Sequence, residues 1–366
     1  MKDIKSYETF TKIEPIHRGV SKDKKYYAET TSGKKIFIRI TNKEHRRKEK
    51  EFKTLQIMAE MGIPVMEPVE FGTCEDGTYM ILSWIDGKHL SDVLYVLFET
   101  EQYLLGIKAG EILRKIHAIR APDSQEIWSV SFTAKIERKV FKEYHESNLA
   151  LPGVDKIFTY FEQNKYLLEN RPQSFLHGDY GIGNIMLEKG ELKIIDFDGY
   201  GFGDPWKDFV KILYSVERSS AFATGQIDGY FGGVPPKDFW PLLALYMSIE
   251  SVNLALWQYK NYPDQVESCL KLVDNSLRWF SNMENTVPTW YQAERMKELE
   301  LIKLQTVKEK LKESEEKLIE AEKKIHQSEE KLIEAEKKIH QLETSTSWRI
   351  TKPLRVIVDK ARGKDV

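Results

Sequence analysis

The chain has 366 residues, 41% of them apolar and 31% charged, which is enough for a two-lobed domain with a real core and too apolar for wholesale disorder. A formal net charge of -2 argues against a general nucleic-acid binder, which needs a basic surplus. Two cysteines, Cys74 and Cys269, sit in no metal or redox spacing and argue against a disulfide framework.

The opening residues "MKDIKSYETFTKIEPIHRG" lack the apolar core of a signal peptide. No run reads as a bilayer span, so a cytoplasmic location is expected. From about 10 to 82 the pattern is strands interrupted by one helix. "KKYYAETT" and "KKIFIRIT" flank Ser32-Gly33 and predict a β-hairpin. In the following helix Phe52, Leu55, Met58 and Ala59 recur at helical spacing, with Gly62 as its stop. Two more strands surround the turn signal "EDG". From about 90 to 290 the period is mostly helical, apart from the short hairpin signal "KGELKIIDF". A small β-rich lobe followed by a larger helical lobe leaves a cleft between them.

Composition changes near Tyr291. "SEEKLIEAEKKIHQ" at Ser314–Gln327 repeats letter for letter at Ser328–Gln341, a period of two heptads. One seam position carries Leu304, Leu311, Leu318, Ile325, Leu332 and Ile339; the other carries Val307, Ser314, Ala321, Ser328, Ala335 and Leu342. This is the pattern of a coiled coil, hence of a homo-oligomer. The competing reading is a lone solvated helix held by pairs such as Glu320–Lys324 and Glu334–Lys338. The tail "TSTSWRITKPLRVIVDKARGKDV" mixes Trp348, Ile350, Leu354, Val356 and Ile357 with Arg349, Lys352, Arg355, Lys360 and Arg362. It fits an anionic membrane surface or a docking strip for a protein.

The chemistry concentrates in "FLHGDYGIGNIMLEKGELKIIDFDGYGFGD", Phe175 to Asp204. Phosphoryl transfer from a nucleotide needs an in-line hydroxyl, metal ions on the phosphates and cations on the leaving charge. Magnesium takes hard oxygen ligands, one or two carboxylates completed by phosphate and water. Asp179 and Asn184 have the five-residue spacing of a kinase base and its metal-binding Asn. Gly181 and Gly183 are expected to supply the unusual backbone angles of that loop. "IIDFD" then delivers Asp196 from the end of an apolar strand.

"HGDYGIGNIM…IIDFDGYGFGDPWKDF" resembles the catalytic signature of the aminoglycoside phosphotransferase and choline kinase superfamily, from roughly Thr11 to Met283. The resemblance implies an α+β, two-lobed protein-kinase-like fold, here followed by a long coiled-coil helix, and phosphorylation of a small-molecule hydroxyl using ATP (or GTP) and Mg2+. It implies Asp179 as base or hydroxyl-positioning carboxylate, Asn184 and Asp196 as metal ligands, and Asp198 as an auxiliary metal carboxylate. Arg39 stands where the phosphate-binding cation lies on the third strand, usually a lysine, with Glu51 as its ion-pair partner. Gly19, Val20 and Ser21 fall in the phosphate-covering loop, which lacks a full GxGxxG. Ser83 and Ile85 supply the adenine-reading carbonyl and amide. Asp208 of "GDPWKDF" reads as a structural brace and His177 as a packed loop histidine.

Asp204 follows Asp196 by only eight positions and no "APE" comes after it, so a peptide-docking activation segment is missing. That favours a small acceptor over a protein. A polycationic acceptor would want clustered carboxylates, and the acids after Asp208 are scattered. The stretch from Tyr214 to Tyr291 is rich in aromatics that suit a sugar ring or a quaternary ammonium, most of them expected in the core. The expected organisation is an N-lobe at 1–85, a C-lobe at 86–290, a coiled coil at 291–343 and a basic amphipathic tail at 344–366. "TSWRITKPLR" after a coiled coil is similar to the C-terminal ends of bacterial polysaccharide glycosyltransferases. That likeness implies a place near the inner membrane face with a polysaccharide-assembly partner. The alternative to a kinase is a nucleotide-binding scaffold acting through its coiled coil.

Overall fold

The computed structural model describes residues 1–17, 23–42 and 45–362. Five antiparallel strands form the first sheet: β1 (Phe10–Pro15), β2 (Lys24–Thr30), β3 (Lys35–Thr41), β4 (Pro68–Cys74) and β5 (Gly77–Ser83), in the order β1-β2-β3-β5-β4. The β2–β3 turn places Gly33 at φ 76, open to glycine at no steric cost. Side chains alternate across β3 with the period of two that a pleated strand imposes. Ile36, Ile38 and Ile40 enter a core shared with Ala28, Tyr79 and Ile81, while Phe37 and Arg39 face the cleft.

Helix α1 (His45–Glu60) buries Phe52, Leu55 and Met58, and with them Lys48 and Glu51. Two charges on the buried stripe of a helix require partners: they pair with each other, and Lys48 also reaches Asp198 on the opposite side of the cleft. The chain leaves α1 through Gly62 at φ 69, in the left-handed conformation common after a helix end.

The second lobe is built from helices Glu99–Ile116, Trp128–Ile136, Val154–Asn164, Ser220–Phe231, Phe239–Asn261 and Val266–Trp279. Glu99–Ile116 and Ser220–Phe231 cross so closely that a Cβ at Gly110 would stand 2.1 Å from the Gln226 carbonyl, and one at Gly229 2.1 Å from that of Ile107. Only hydrogen at these positions lets the two backbones meet. Phe239–Asn261 is long and apolar enough for a bilayer, contrary to the expectation that no run would qualify. Its hydropathic window is 78% buried within the lobe, so the apolarity serves the core. Of the aromatics after Tyr214, Phe222, Tyr230, Phe239, Trp240 and Tyr246 are buried there, while Tyr214, Trp257 and Tyr262 are exposed.

Residues 1–295 form one compact unit and 296–366 a second. A 56-residue helix, Thr289–Thr344, begins in the first and makes up most of the second; at 1.5 Å per residue it is about 84 Å long. Along it Leu304, Val307, Leu311, Leu318, Ile325, Leu332, Ile339 and Leu342 are all exposed. The tail is helical from Thr346 to Ala361, capped by the Ser345 hydroxyl accepting from the Trp348 amide. Ile350, Leu354, Ile357 and Val358 are exposed along it, and the Arg355 guanidinium lies over the Trp348 ring.

Candidate active site

Between the lobes lies a cleft of about 310 Å³. Its apolar walls include Ile16, Leu55, Met80, Leu82, Trp84 and Ile194, and its polar ones Arg39, Glu51, Asn184 and Asp196. Ile85 lines it as well, whereas Ser83 does not: the Ser83 amide donates to the Glu67 carbonyl and its hydroxyl accepts from the Glu67 amide. Trp84, between the two, packs edge-on to Tyr27 and presents an aromatic wall to the cleft. Gly19, Val20 and Ser21 lie outside the described residues.

The floor of the cleft is one short loop and one hairpin. After the strand Ser174–Leu176 the chain turns through Gly178 at φ 81, where a Cβ would meet the Gly199 carbonyl at 2.1 Å. The unusual angles therefore fall at Gly178 and at Asp196 (φ 63). Gly181 is extended at φ -118 and Gly183 is not left-handed, contrary to the expectation for both. The physical reason is that two loops, not one, must touch here, and the close approach sits where Gly178 passes Gly199.

His177 is fully buried. The Asp179 amide donates to its Nδ1, which makes Nδ1 an acceptor and leaves the proton on Nε2, facing the Ile195 carbonyl at 3.1 Å. Burial holds this imidazole below its usual range, against the pull of Asp208 and Asp179, so it is a neutral strut. Asp208 accepts from the amides of His177 (2.7 Å) and Gly178 (2.9 Å) and from His117 Nε2 (3.1 Å). Burial alone would raise its carboxyl; His117 and these amides outweigh burial and hold it low. The catalytic loop is thus pinned from beneath by a buried carboxylate.

Above that base, the Asn184 amide nitrogen donates to the Asp179 carboxylate Oδ2 at 2.8 Å and to the Asp179 carbonyl at 2.9 Å. Asp196 is carried to the same cleft by the hairpin of Ile185–Glu188 and Glu191–Ile194 and is 44% exposed at its side chain. The side-chain oxygens of Asn184 and Asp196 are hard donors suited to a divalent cation shared with phosphate oxygens. Among the described residues, no group of three or more His, Cys, Asp or Glu side chains is arranged to hold a metal unaided.

Arg39 is buried, with Asp23 as its tightest partner at 2.5 Å. Asp198 follows at 3.5 Å, Asp196 at 3.6 Å and Glu51 at 3.9 Å. Burial opposes the charge, yet the four carboxylates prevail and keep the guanidinium above its ordinary value. Glu51 is bound more tightly by Lys48 (2.5 Å), which also reaches Asp198 at 2.6 Å. Lys48 is 1% exposed and stitches α1 to the Asp196–Asp198 turn. Arg47 adds a bond from its guanidinium to the Asp198 carbonyl. Asp23 and Lys48 carried no motif signal; a buried basic residue on the apolar stripe of α1 was the one clue.

On the other side of Asp179, Lys211 Nζ stands 3.5 Å from its Oδ1 and 3.0 Å from Glu250 Oε1, and Lys207 Nζ is 3.6 Å from Glu250 Oε2. Aspartate, asparagine, arginine and a second carboxylate so arranged around an apolar slot can orient a hydroxyl, take its proton and neutralise phosphate charge.

A family model described as "Phosphotransferase enzyme family" matches residues 12–240. No curated protein sequence matches the chain significantly. Among solved structures, a choline/ethanolamine kinase family protein from Mesorhizobium loti superposes with a TM-score of 0.58 at 19% identity, covering 77% of this chain and 92% of its own. A thermostable mutant of aminoglycoside phosphotransferase APH(4)-Ia gives 0.56 at 16% identity, covering 74% and 96%. Amicoumacin kinase hAmiN, solved with AMP-PNP, Ca2+ and Ami, gives 0.54 at 13% identity, covering 76% and 91%. The two lobes therefore form a kinase-like fold, followed by long C-terminal helices.

Proposed function

The chain belongs to the phosphotransferase enzyme family, and from that premise we propose that it transfers the γ-phosphate of ATP or GTP to an alcohol hydroxyl of a small molecule. The observation that carries the reading is the Asp179–Asn184 side-chain bond of 2.8 Å, set across from Asp196 on the wall of an apolar, nucleotide-sized cleft.

In this reading the acceptor oxygen attacks the γ-phosphorus in line, the bond to the β-phosphate oxygen breaks, and the hydroxyl proton passes to Asp179. Asn184 orients that carboxylate through Oδ2 and Lys211 faces its Oδ1. Arg39, released from part of its carboxylate shell, meets the phosphates bidentately. Trp84, Met80 and Leu82 give the cleft an apolar wall for the nucleotide's ring. Asn184 and Asp196, with Asp198 behind them, would hold Mg2+, which when bound lowers the charge on the phosphoryl oxygens.

We further propose that the exposed apolar seam of Thr289–Thr344 pairs with a second copy of this chain as a coiled coil. The tail helix, with Ile350, Leu354 and Ile357 exposed among basic residues, would then rest on an anionic membrane surface. The test of the activity is nucleoside-diphosphate release from Mg-ATP and Mg-GTP across aminoglycosides, choline, sugars and nucleotide sugars, with Asp179→Asn as the blank. Acceptor-stimulated release that vanishes in the variant supports the reading. Nucleotide binding with no release above the blank for any acceptor would replace it with a scaffold.

A further inference from the structure

We propose that two copies of this chain pair through helix Thr289–Thr344 in register, with both helices running in the same direction. The inference rests on the coiled-coil reading above and adds the direction and register, which that reading leaves open.

The seam supplies two of the seven heptad positions. Leu304, Leu311, Leu318, Ile325, Leu332 and Ile339 recur at position a, and Val307, Ser314, Ala321, Ser328, Ala335 and Leu342 follow three residues later at d. The large side chains of both columns are exposed along the helix. Ser328 is no obstacle to covering them: its hydroxyl donates to the Lys324 carbonyl of its own helix at 2.9 Å and carries that bond into an interface. Layers of large a residues alternate with layers of mostly small d residues, a shape that lets two helices meet in either direction.

The flanks choose between the two. Position g, just before each a residue, is lysine in five consecutive heptads: Lys310, Lys317, Lys324, Lys331 and Lys338. Position e, just after each d residue, is glutamate in five: Glu315, Glu322, Glu329, Glu336 and Glu343. All ten of these residues are exposed. Helices that run the same way in register set g of one copy against e of the other, five residues further along. Lys310 of one copy then faces Glu315 of the other, and the same match recurs in each heptad down to Lys338 and Glu343. Helices running in opposite directions set g against g and e against e, so lysines meet lysines and glutamates meet glutamates along the whole seam. That arrangement is opposed by every flanking pair, whereas the same-direction one is favoured by every pair.

Register follows from the ends. A slip by one or two heptads keeps lysine opposite glutamate, because the sign order is the same in each heptad. It also strips apolar layers of their cover. Leu304 and Val307 at one end and Ile339 and Leu342 at the other are covered in both copies only without a slip. Same-direction pairing then brings the two Ser345 caps to one end of the coil, where both tail helices start. Each tail exposes Ile350, Leu354 and Ile357 among basic residues, so a pair offers two such strips to one surface, a bivalent contact.

The experiment uses the full chain. Ser314→Cys and Ser328→Cys, each a near-isosteric change at position d, are oxidised singly and as an exchanged equal mixture, and linked peptides are identified by mass spectrometry. Wild type, which keeps Cys74 and Cys269, is the blank. Each variant is expected to link to itself in high yield, and the mixture to give no bond between position 314 of one copy and position 328 of the other. That crossed bond in place of the self-linked pairs would mark opposed or slipped helices and overturn the inference while the coiled coil stands. A second variant, Glu315→Lys/Glu322→Lys/Glu329→Lys/Glu336→Lys, reverses the e column at exposed positions, with circular dichroism to confirm that the helix survives. Its self-association should weaken by at least about tenfold at low salt and recover in part at high salt. In opposed helices the same change replaces one like-charge column by another, so unchanged association would also overturn the inference. Wild type that sediments as a monomer at high micromolar concentration overturns the direction and the coiled-coil reading together. Neither readout depends on nucleotide turnover, so every outcome leaves the phosphotransferase reading to its own test.

Discussion

Asp179 is held from three directions: its amide by His177, one carboxylate oxygen by Asn184 and the other by Lys211. A side chain so fixed loses little orientation when a hydroxyl arrives, which is where positioning contributes to rate. Asp179→Asn preserves shape and the loop beneath it while removing the proton acceptor. We expect a fall in kcat of about 10²–10⁴ with Mg-nucleotide affinity unchanged. Asp196→Asn should behave differently, since an oxygen donor to the cation is weakened: kcat falls and the apparent nucleotide affinity falls with it. Parallel titrations of ADP with and without magnesium separate the two variants. Identical affinity losses in both would contradict the division of roles. The Asp179, Asn184 and Asp196 set was legible in the chain because a loop and a hairpin place them by local geometry. Lys48, Asp23 and Lys211 were not. Each acts through partners distant in sequence, as Lys48 does across 150 residues to Asp198, and a lone lysine or aspartate carries no signal of that meeting.

At the scale of elements, two segments beside Asp179 are joined by Glu250. It ties helix Phe239–Asn261 to the turn Pro205–Lys211 through Lys207 and Lys211. Burial alone would push its carboxyl up, but Lys207, Lys211 and Lys135 outweigh burial and bring it from 4.5 down to about 2. A folded-state value below the unfolded one means that the charged form stabilises the fold. That contribution is complete above about pH 4.5 and is lost as pH falls toward 2. It amounts to about 3 kcal/mol. Glu250→Gln should therefore lower unfolding free energy at pH 7 by roughly this amount, leaving two buried lysines short of a partner. It should also flatten the acid limb of the stability profile between those pH values. Denaturant unfolding at pH 7 and pH 3 measures both, and a variant that loses stability equally at the two pH values would show the ion pair to be incidental. The strands of the first sheet and α1 follow from periodicity and turn residues, whereas Trp84 on the cleft wall does not. The close crossing of Glu99–Ile116 on Ser220–Phe231 does not, because four helical glycines announce proximity only once the partner helix is known.

For the whole molecule, composition alone set the end of the kinase-like domain near Tyr291, and side-chain contacts move the natural cut a turn later. Tyr291 donates to the buried Asp228 carboxylate at 2.8 Å, Arg295 pairs with the same oxygen at 2.8 Å, and Ser220 donates to Glu294 at 2.6 Å. The compact unit accordingly ends at Arg295. A chain ending at residue 291 keeps the tyrosine but strips the guanidinium from a carboxylate that is 2% exposed, and loss of one partner of a buried ion pair costs about 3 kcal/mol. A chain ending a few residues after Arg295 keeps every one of these bonds. We expect the longer truncation to melt with the full-length domain and to retain nucleotide binding, and the shorter one to melt several degrees lower. If the seam of Leu304, Leu311, Leu318, Ile325, Leu332 and Ile339 pairs two chains, sedimentation should find the full-length protein associated and both truncations monomeric. A full-length monomer at the concentrations where a coil of this length should pair would assign Thr289–Thr344 to the solvated-helix reading, held by pairs such as Glu320–Lys324 and Glu334–Lys338 at 2.7 Å. The apolar seam would then need another occupant, and the kinase-like domain would carry its function alone.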